Sequence, residues 1–93
     1  MSRANYYGNS NCVQNTWDNA PKVRGKDPEL YRRDAYENVL YRHSHGKDTQ
    51  MGWNIDHIKP QSKGGSDNPR NLQILQSAKN KSLGDSTKKR SYK

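Results

Sequence analysis

Hydrophobic and polar positions alternate most clearly in the second half of the chain. The stretch 51–56, MGWNID, places an apolar residue at every second position, which predicts a half-buried β-strand with Met51 on its apolar face. Pro60 ends this strand, because proline cannot donate a ladder hydrogen bond and forces Lys59 into an extended conformation. The polar run QSKGGSDNPRN predicts a long loop, and LQIL at 72–75 predicts a second short strand.

A short helix is predicted directly after the second strand. Ser77 has the side chain of a helix N-cap, and Gly84 has the conformational freedom of the residue that ends a helix. The six residues between them make about two turns, which are not stable alone in water, so this helix must pack on the two strands. The predicted order is therefore strand, loop, strand and helix.

The first half of the chain has weaker periodicity. Residues 1–29 predict an irregular N-terminal extension that packs on the rest of the chain through Trp17 and Val23. The segment from Leu30 onward predicts a turn of helix or extended chain and then a strand at about 39–42. A hairpin that turns at Glu37-Asn38 is the alternative, because this segment is rich in β-favouring tyrosines.

These elements predict the fold class and the domain organisation. We expect a small single α+β domain, in which a ββα module (a β-hairpin plus a short helix) is preceded by the irregular extension. The second region spans residues 30–93, with the ββα core at about 51–85 and a basic tail at 86–93 that is expected to fray.

Composition narrows the function. Only 28% of the 93 residues are hydrophobic and Phe is absent, so the core is thin, and a bound metal ion, partner or nucleic acid would help to stabilise it. The net charge of +8 favours a polyanionic partner, with a merely soluble, self-repelling surface as the alternative. Candidate phosphate contacts are Lys59, Lys63, Arg70, Lys79, Lys81, Arg33 and Arg42, and for the two latter arginines a solvated face is an equal alternative.

Cysteine usage and the N-terminal sequence exclude several classes. Cys12 is the only cysteine, which excludes an internal disulfide and a multi-cysteine zinc site. The N-terminal sequence lacks the apolar region of a signal peptide, and no segment reaches membrane-spanning length. We therefore expect a soluble protein with no membrane partner, and a cytoplasmic location is favoured.

Acid, amide and imidazole side chains in the module suggest hydrolysis of a phosphodiester. A carboxylate at Asp56 and an amide oxygen at Asn80 are hard donors that suit one Mg²⁺ ion, with Mn²⁺ as the alternative. The His57 imidazole can take a proton from water near neutral pH. Asn71 can tie the His57 backbone across the hairpin. Strict strand alternation sends Asp56 and His57 to opposite faces, so regular strand geometry must end or twist at His57 for both to reach one phosphate.

The blocks WNIDHIKP, SKGGSD, NLQIL and NKSLGD, in this order, resemble the HNH (ββα-metal) endonuclease family over about residues 52–85. The resemblance implies that Asp56 and Asn80 are metal ligands, His57 is the general base and Asn71 braces the histidine-bearing loop. The chain would then be the H-N-N variant of the family. It has none of the paired cysteines that hold a structural zinc in many relatives.

The same resemblance implies cleavage of DNA, with RNA as a further substrate. A non-catalytic nucleic-acid-binding module of the same fold is the first alternative. The second is a nuclease toxin domain with an acidic immunity partner. We expect a monomer, and a protein partner that supplies sequence specificity or inhibition is compatible with the sequence.

Overall fold

Two antiparallel β-hairpins form the body of the fold. The structure is a computed structural model, and it describes residues 10–84 and 86–93. The first hairpin pairs β1 (Tyr31–Arg33) with β2 (Val39–Tyr41), and the second pairs β3 (Trp53–His57) with β4 (Leu72–Gln76). Helix α1 (Ser10–Asp18) precedes them, and helix α2 (Ser77–Leu83) follows. This small single domain confirms the predicted α+β class.

Helix α1 lies where irregular chain was predicted. Val13, Thr16, Trp17 and Ala20 are buried, and their spacing places them along one side of the helix and its C-terminal end. The sequence prediction was wrong for Ser10–Asp18 because a helix of this length is stabilised by packing rather than by its own propensity. The first nine residues of the predicted extension lie outside the described part of the chain.

The core is centred on two tryptophans from opposite ends of the sequence. The rings of Trp17 and Trp53 lie 5.0 Å apart, and both side chains are fully buried. Their indole N–H groups donate to backbone carbonyls, Trp17 to Pro28 at 3.1 Å and Trp53 to Tyr41 at 2.9 Å. Trp17 therefore anchors the N-terminal region to the core, as predicted. Both buried indole N–H groups have a hydrogen-bond acceptor.

The segment from residue 30 adopts the hairpin alternative. Arg33 pairs with Val39 at its closed end, and Glu37 occupies the turn with φ at 69°. The buried Asp34 carboxylate holds this turn by accepting the backbone N–H groups of Tyr36 and Asn38, each at 2.9 Å. The predicted strand at 39–42 is confirmed as β2.

The second hairpin confirms both strands predicted for the module. Trp53 pairs with Gln76 and His57 with Leu72, so the ladder is regular along the whole of β3. Met51 is not a core residue, because a turn at Thr49–Gly52 precedes β3 and leaves its side chain 41% exposed. The alternating pattern of apolar residues therefore begins one turn before the strand itself.

Ser77 has a different role from the predicted N-cap. It is the first residue of α2, and Gln76 occupies the cap position. The Ser77 hydroxyl donates to the Lys47 carbonyl at 2.7 Å and accepts from the Asn54 side-chain amide at 3.0 Å, which fixes the start of α2 against β3. The helix ends at Gly84 with positive φ, as predicted.

The basic tail packs along β4 instead of fraying. The Tyr92 hydroxyl accepts the Ile74 N–H at 3.0 Å, and the Gln73 side chain donates to the Arg90 carbonyl at 3.0 Å. The Arg90 N–H donates to the Tyr36 hydroxyl at 2.9 Å. Burial raises the pKa of Tyr92 to about 12. The composition of the tail predicted disorder, whereas its hydrogen bonds to a strand edge hold it in place.

Replacing Trp17 tests whether α1 is part of the core. Trp17→Ala removes the largest side chain that α1 buries and leaves a cavity against Trp53, so the free energy of unfolding should fall by about 3–5 kcal/mol. Urea denaturation followed by circular dichroism measures this change. Replacing exposed Asn15 on the same helix with Ala is the matched control and should cost under about 0.5 kcal/mol. Equal effects of the two substitutions would contradict the assigned core.

Candidate functional site

Asp56 is a buried carboxylate with a buried cationic partner. It lies on β3 opposite Gln73, whose side-chain N–H donates to Oδ2 at 3.3 Å. The Lys89 ammonium from the C-terminal tail lies 2.7 Å from Oδ1, and the two side chains are 0% and 1% exposed. Lys89 also donates to the His57 carbonyl at 3.0 Å. Because a buried charge without a partner is strongly destabilising, this ion pair accounts for the burial of both groups.

His57 is held by a loop carboxylate that was not among the predicted site residues. Its Nε2 lies 2.7 Å from Oδ1 of Asp67, and the same oxygen accepts from the Gln61 side chain at 2.9 Å. His57 is only 5% exposed, whereas Asp67 is 59% exposed. An ionised carboxylate only accepts hydrogen bonds, so a neutral ring in this contact carries its proton on Nε2 and its lone pair on Nδ1. Asp67 is the last residue of the SKGGSD block, and this position was the sequence signal that could have identified it as a site residue.

Regular strand geometry does not end before His57. The ladder includes the His57–Leu72 pair, and the next N–H, that of Ile58, donates to the Asn71 carbonyl at 2.8 Å. β3 ends at His57, its last residue, which is one of the two possibilities that the sequence left open. Asp56 and His57 have separate side-chain partners, Lys89 and Asp67, and they are connected through Lys89, which contacts the Asp56 carboxylate and the His57 carbonyl together.

Asn71 closes the loop between β3 and β4. Its Oδ1 accepts the Lys59 N–H at 2.8 Å, and its Nδ2 donates to the carbonyls of Lys59 and Ser66 at 3.0 and 2.7 Å. The side chain thus ties the backbone two residues beyond His57 rather than that of His57 itself. Gly65 allows the loop to fold this tightly, because a Cβ there would lie 1.7 Å from the Lys59 carbonyl oxygen.

Asn80 carries an unsatisfied polar atom. Its side chain is 4% exposed, and its Oδ1 is buried with no hydrogen-bond partner. Such an atom costs about 1–3 kcal/mol, so each instance in a folded protein requires an explanation. Asn80 lies on α2, the helix whose first turn is fixed to β3 by the contact between Ser77 and Asn54. An amide oxygen of this kind is a ready ligand for a hard cation.

The donor chemistry of Asp56 and Asn80 fits a divalent cation. A carboxylate and an orphaned amide oxygen are the oxygen ligands that Mg²⁺ and Mn²⁺ take, and water and phosphate oxygens complete the coordination. Across residues 10–84 and 86–93 there is no cluster of three or more His, Cys, Asp or Glu side chains that could hold a metal. The chain would therefore contribute few ligands, as is usual for Mg²⁺ bound with a phosphate.

The predicted phosphate contacts fall into two groups. Lys59, Lys63 and Arg70 are exposed on or beside the loop that Asn71 closes. The other four contact protein groups, and these are Lys79 with the Tyr36 ring, Lys81 with Asp48, Arg33 with Glu37 and Arg42 with Gln14. Exposed ion pairs contribute at most about 1 kcal/mol, so a phosphate can replace the partners of Lys81 and Arg33. Arg32, by contrast, is buried and donates to three carbonyls.

The hairpin, the packed helix and the Asp-His pair at the end of β3 define the class of ββα modules found in nucleases and nucleic-acid-binding proteins. Residues 42–85 match the family model described as HNH endonuclease. HNH nucleases generally use a divalent metal ion and act on nucleic acid. Neither the curated proteins nor the solved structures yield a match. Within the described residues, no helix has the length and apolar character to cross a membrane.

Removing the Asn71 side chain tests its bracing contacts. Asn71→Ala deletes three hydrogen bonds to the loop backbone and should lower the free energy of unfolding by about 2–3 kcal/mol. Asn68→Ala is the control, because its side chain accepts one bond, from the Arg70 N–H, and should cost about 1 kcal/mol. Chemical denaturation of both variants measures the difference. A smaller loss for Asn71→Ala than for Asn68→Ala would contradict the bracing role.

Proposed function

We propose that this protein is a divalent-metal-dependent endonuclease that hydrolyses phosphodiester bonds in DNA, with RNA as an alternative substrate. The observation that carries the proposal is the unsatisfied, buried Oδ1 of Asn80 in an HNH domain that also buries the Asp56 carboxylate. A protein gains nothing in stability from an orphaned amide oxygen. Coordination of a metal ion by Asn80 Oδ1 would account for the missing hydrogen bond.

In the proposed mechanism His57 is the general base. Its contact with Asp67 keeps the proton on Nε2, so Nδ1 accepts the proton of the attacking water. The Asp67 carboxylate would also stabilise the imidazolium that forms, as the acid of a catalytic triad supports its histidine. Asp67 is therefore a positioning residue, and Asn71 is a second one because it fixes the loop that carries Asp67.

Asp56 and Asn80 would hold one Mg²⁺ or Mn²⁺ ion. When bound, the ion supplies a positive charge that stabilises the departing oxygen of the phosphodiester. Lys59, Lys63 and Arg70 would hold the phosphate backbone by charge, which predicts binding that weakens as salt increases. Contacts of this kind do not distinguish sequences, so specificity would come from groups outside this set.

A non-catalytic nucleic-acid-binding module is the second candidate. The observation that favours it is the buried ion pair between Lys89 and Asp56, which satisfies the proposed metal ligand without a metal. Both candidates predict salt-sensitive binding to nucleic acid. Only the first predicts that a strand is cut.

Plasmid cleavage separates the two candidates. Supercoiled plasmid incubated with the protein and Mg²⁺ should be nicked or linearised, and EDTA should abolish this. His57→Ala should lower the cleavage rate about 10²–10⁴-fold, which is the range expected for loss of a general base. His43→Ala is the matched control, because His43 is an exposed histidine outside the proposed site and its loss should leave the rate unchanged.

Three outcomes decide against the proposed mechanism. Absence of metal-dependent cleavage, with plasmid binding retained, identifies the binding module instead. Cleavage that persists in EDTA contradicts the role of the metal. Equal rates for His57→Ala and the unmodified protein contradict the role of the histidine.

A further inference from the structure

The C-terminal tail delivers a positive charge to the proposed metal ligand. Lys89 lies 33 residues after Asp56 in the sequence, yet its ammonium is 2.7 Å from Asp56 Oδ1 and is buried. The same ammonium donates a second hydrogen bond, to the His57 carbonyl at 3.0 Å. The Lys89 ammonium thus already occupies the position beside Asp56 Oδ1 where a metal ion would bind.

This ammonium and a divalent ion cannot share Asp56 Oδ1. A Mg²⁺ ion lies about 2.0–2.1 Å from its oxygen ligands, so its centre would stand within a few ångströms of the Lys89 nitrogen. Two positive charges at that separation repel each other strongly where the side chains that hold them are buried. Metal binding at Asp56 therefore requires that Lys89 leave.

We propose that Lys89 is an internal competitor of the divalent ion, and that the tail regulates the site by exchanging its ammonium for the metal. This inference rests on the proposed function, because it takes Asp56 as a metal ligand. In the metal-free protein Lys89 neutralises Asp56. In the metal-bound protein it is released from the carboxylate and adds to the positive charge available to a phosphate backbone.

The rest of the tail makes Lys89 an effective competitor. The Tyr36 hydroxyl accepts a hydrogen bond from the Arg90 backbone N–H. The Arg90 guanidinium also lies 5.4 Å from the centre of the Tyr36 ring. Gln73, the residue opposite Asp56, donates to the Arg90 carbonyl, and Tyr92 accepts from Ile74. These contacts hold the backbone beside β4, so the Lys89 side chain competes at the high effective concentration of a tethered group.

Metal titration of tail variants tests this exchange. Isothermal titration calorimetry with Mn²⁺, without nucleic acid, should show at least tenfold tighter binding for Lys89→Met than for the unmodified full chain. Lys89→Gln should show the same direction, and it retains an N–H donor for Asp56 in case the methionine variant does not fold. Lys88→Met is the matched control, because Lys88 is the exposed neighbour and its replacement should leave the affinity unchanged.

Thermal unfolding supplies an independent readout. Without metal, Lys89→Met leaves Asp56 buried without its cation and should melt at a lower temperature than the unmodified protein. Saturating Mn²⁺ should then raise the melting temperature of this variant by more than it raises that of the unmodified protein. Lys88→Met should follow the unmodified protein under both conditions.

Replacing Asp56 distinguishes failure of the inference from failure of the proposed function. If Asp56→Asn abolishes Mn²⁺ binding while both Lys89 variants bind as weakly as the unmodified chain, the competition is wrong and the metal site stands. If Asp56→Asn binds Mn²⁺ as well as the unmodified protein, or if no variant binds it, both proposals fall. Tight binding by Lys89→Met that disappears in the Asp56→Asn, Lys89→Met double variant supports both.

Discussion

The contact between Trp17 and Trp53 is the interaction on which the rest of the structure depends. With 28% hydrophobic residues and no Phe, the chain has few large apolar groups, and these two indoles supply much of the available area. Their rings lie 5.0 Å apart and bring helix α1 onto the hairpin that carries the site. His45 adds a third ring, 4.5 Å from that of Trp53, and burial lowers its pKa and favours the neutral form.

Buried polar groups connect the elements that apolar packing does not join. Asp34 is fully buried, and besides holding its own turn it accepts the Gln76 N–H at 3.0 Å. This bond connects the first hairpin to the residue that caps α2, and α2 carries Asn80. The N-terminal half of the chain therefore fixes the position of a proposed metal ligand that lies more than forty residues away. A buried carboxylate with several N–H partners can do this because each bond is charge-assisted.

The sequence predicted the elements that have local signals and missed those stabilised by distant contacts. The alternation around Trp53 and Ile55 and the turn chemistry of Gly64 and Gly84 are local, and β3, β4 and the end of α2 follow from them. Helix α1 has little apolar content, so only its packing on Trp53 reveals it.

The candidate site divides in the same way. The segment that matches the HNH endonuclease model contains Asp56, His57, Asn71 and Asn80, as the ordered motif indicates, but their catalytic roles stay predictions. The contacts of these residues could not be predicted, because the SKGGSD block marks Asp67 without indicating that it pairs with His57, and Lys89 lies in a basic run with no distinctive spacing. Side-chain pairs across a loop or along a tail depend on tertiary geometry, which the residue pattern does not contain.

Under the proposed exchange, stability and metal binding oppose each other at Asp56. A buried carboxylate requires a cation, and without metal the tail meets this requirement with Lys89. In that exchange the metal would replace one cation with another, so it would stabilise the fold only by the difference between the two interactions. If Lys89 dissociated easily from Asp56, the metal-free protein would be less stable. If Lys89 were held too firmly, it would exclude the metal ion. The hydrogen bonds of the tail to Tyr36 and Ile74 would set this balance, since they hold the backbone in place while the Lys89 ammonium exchanges with the metal.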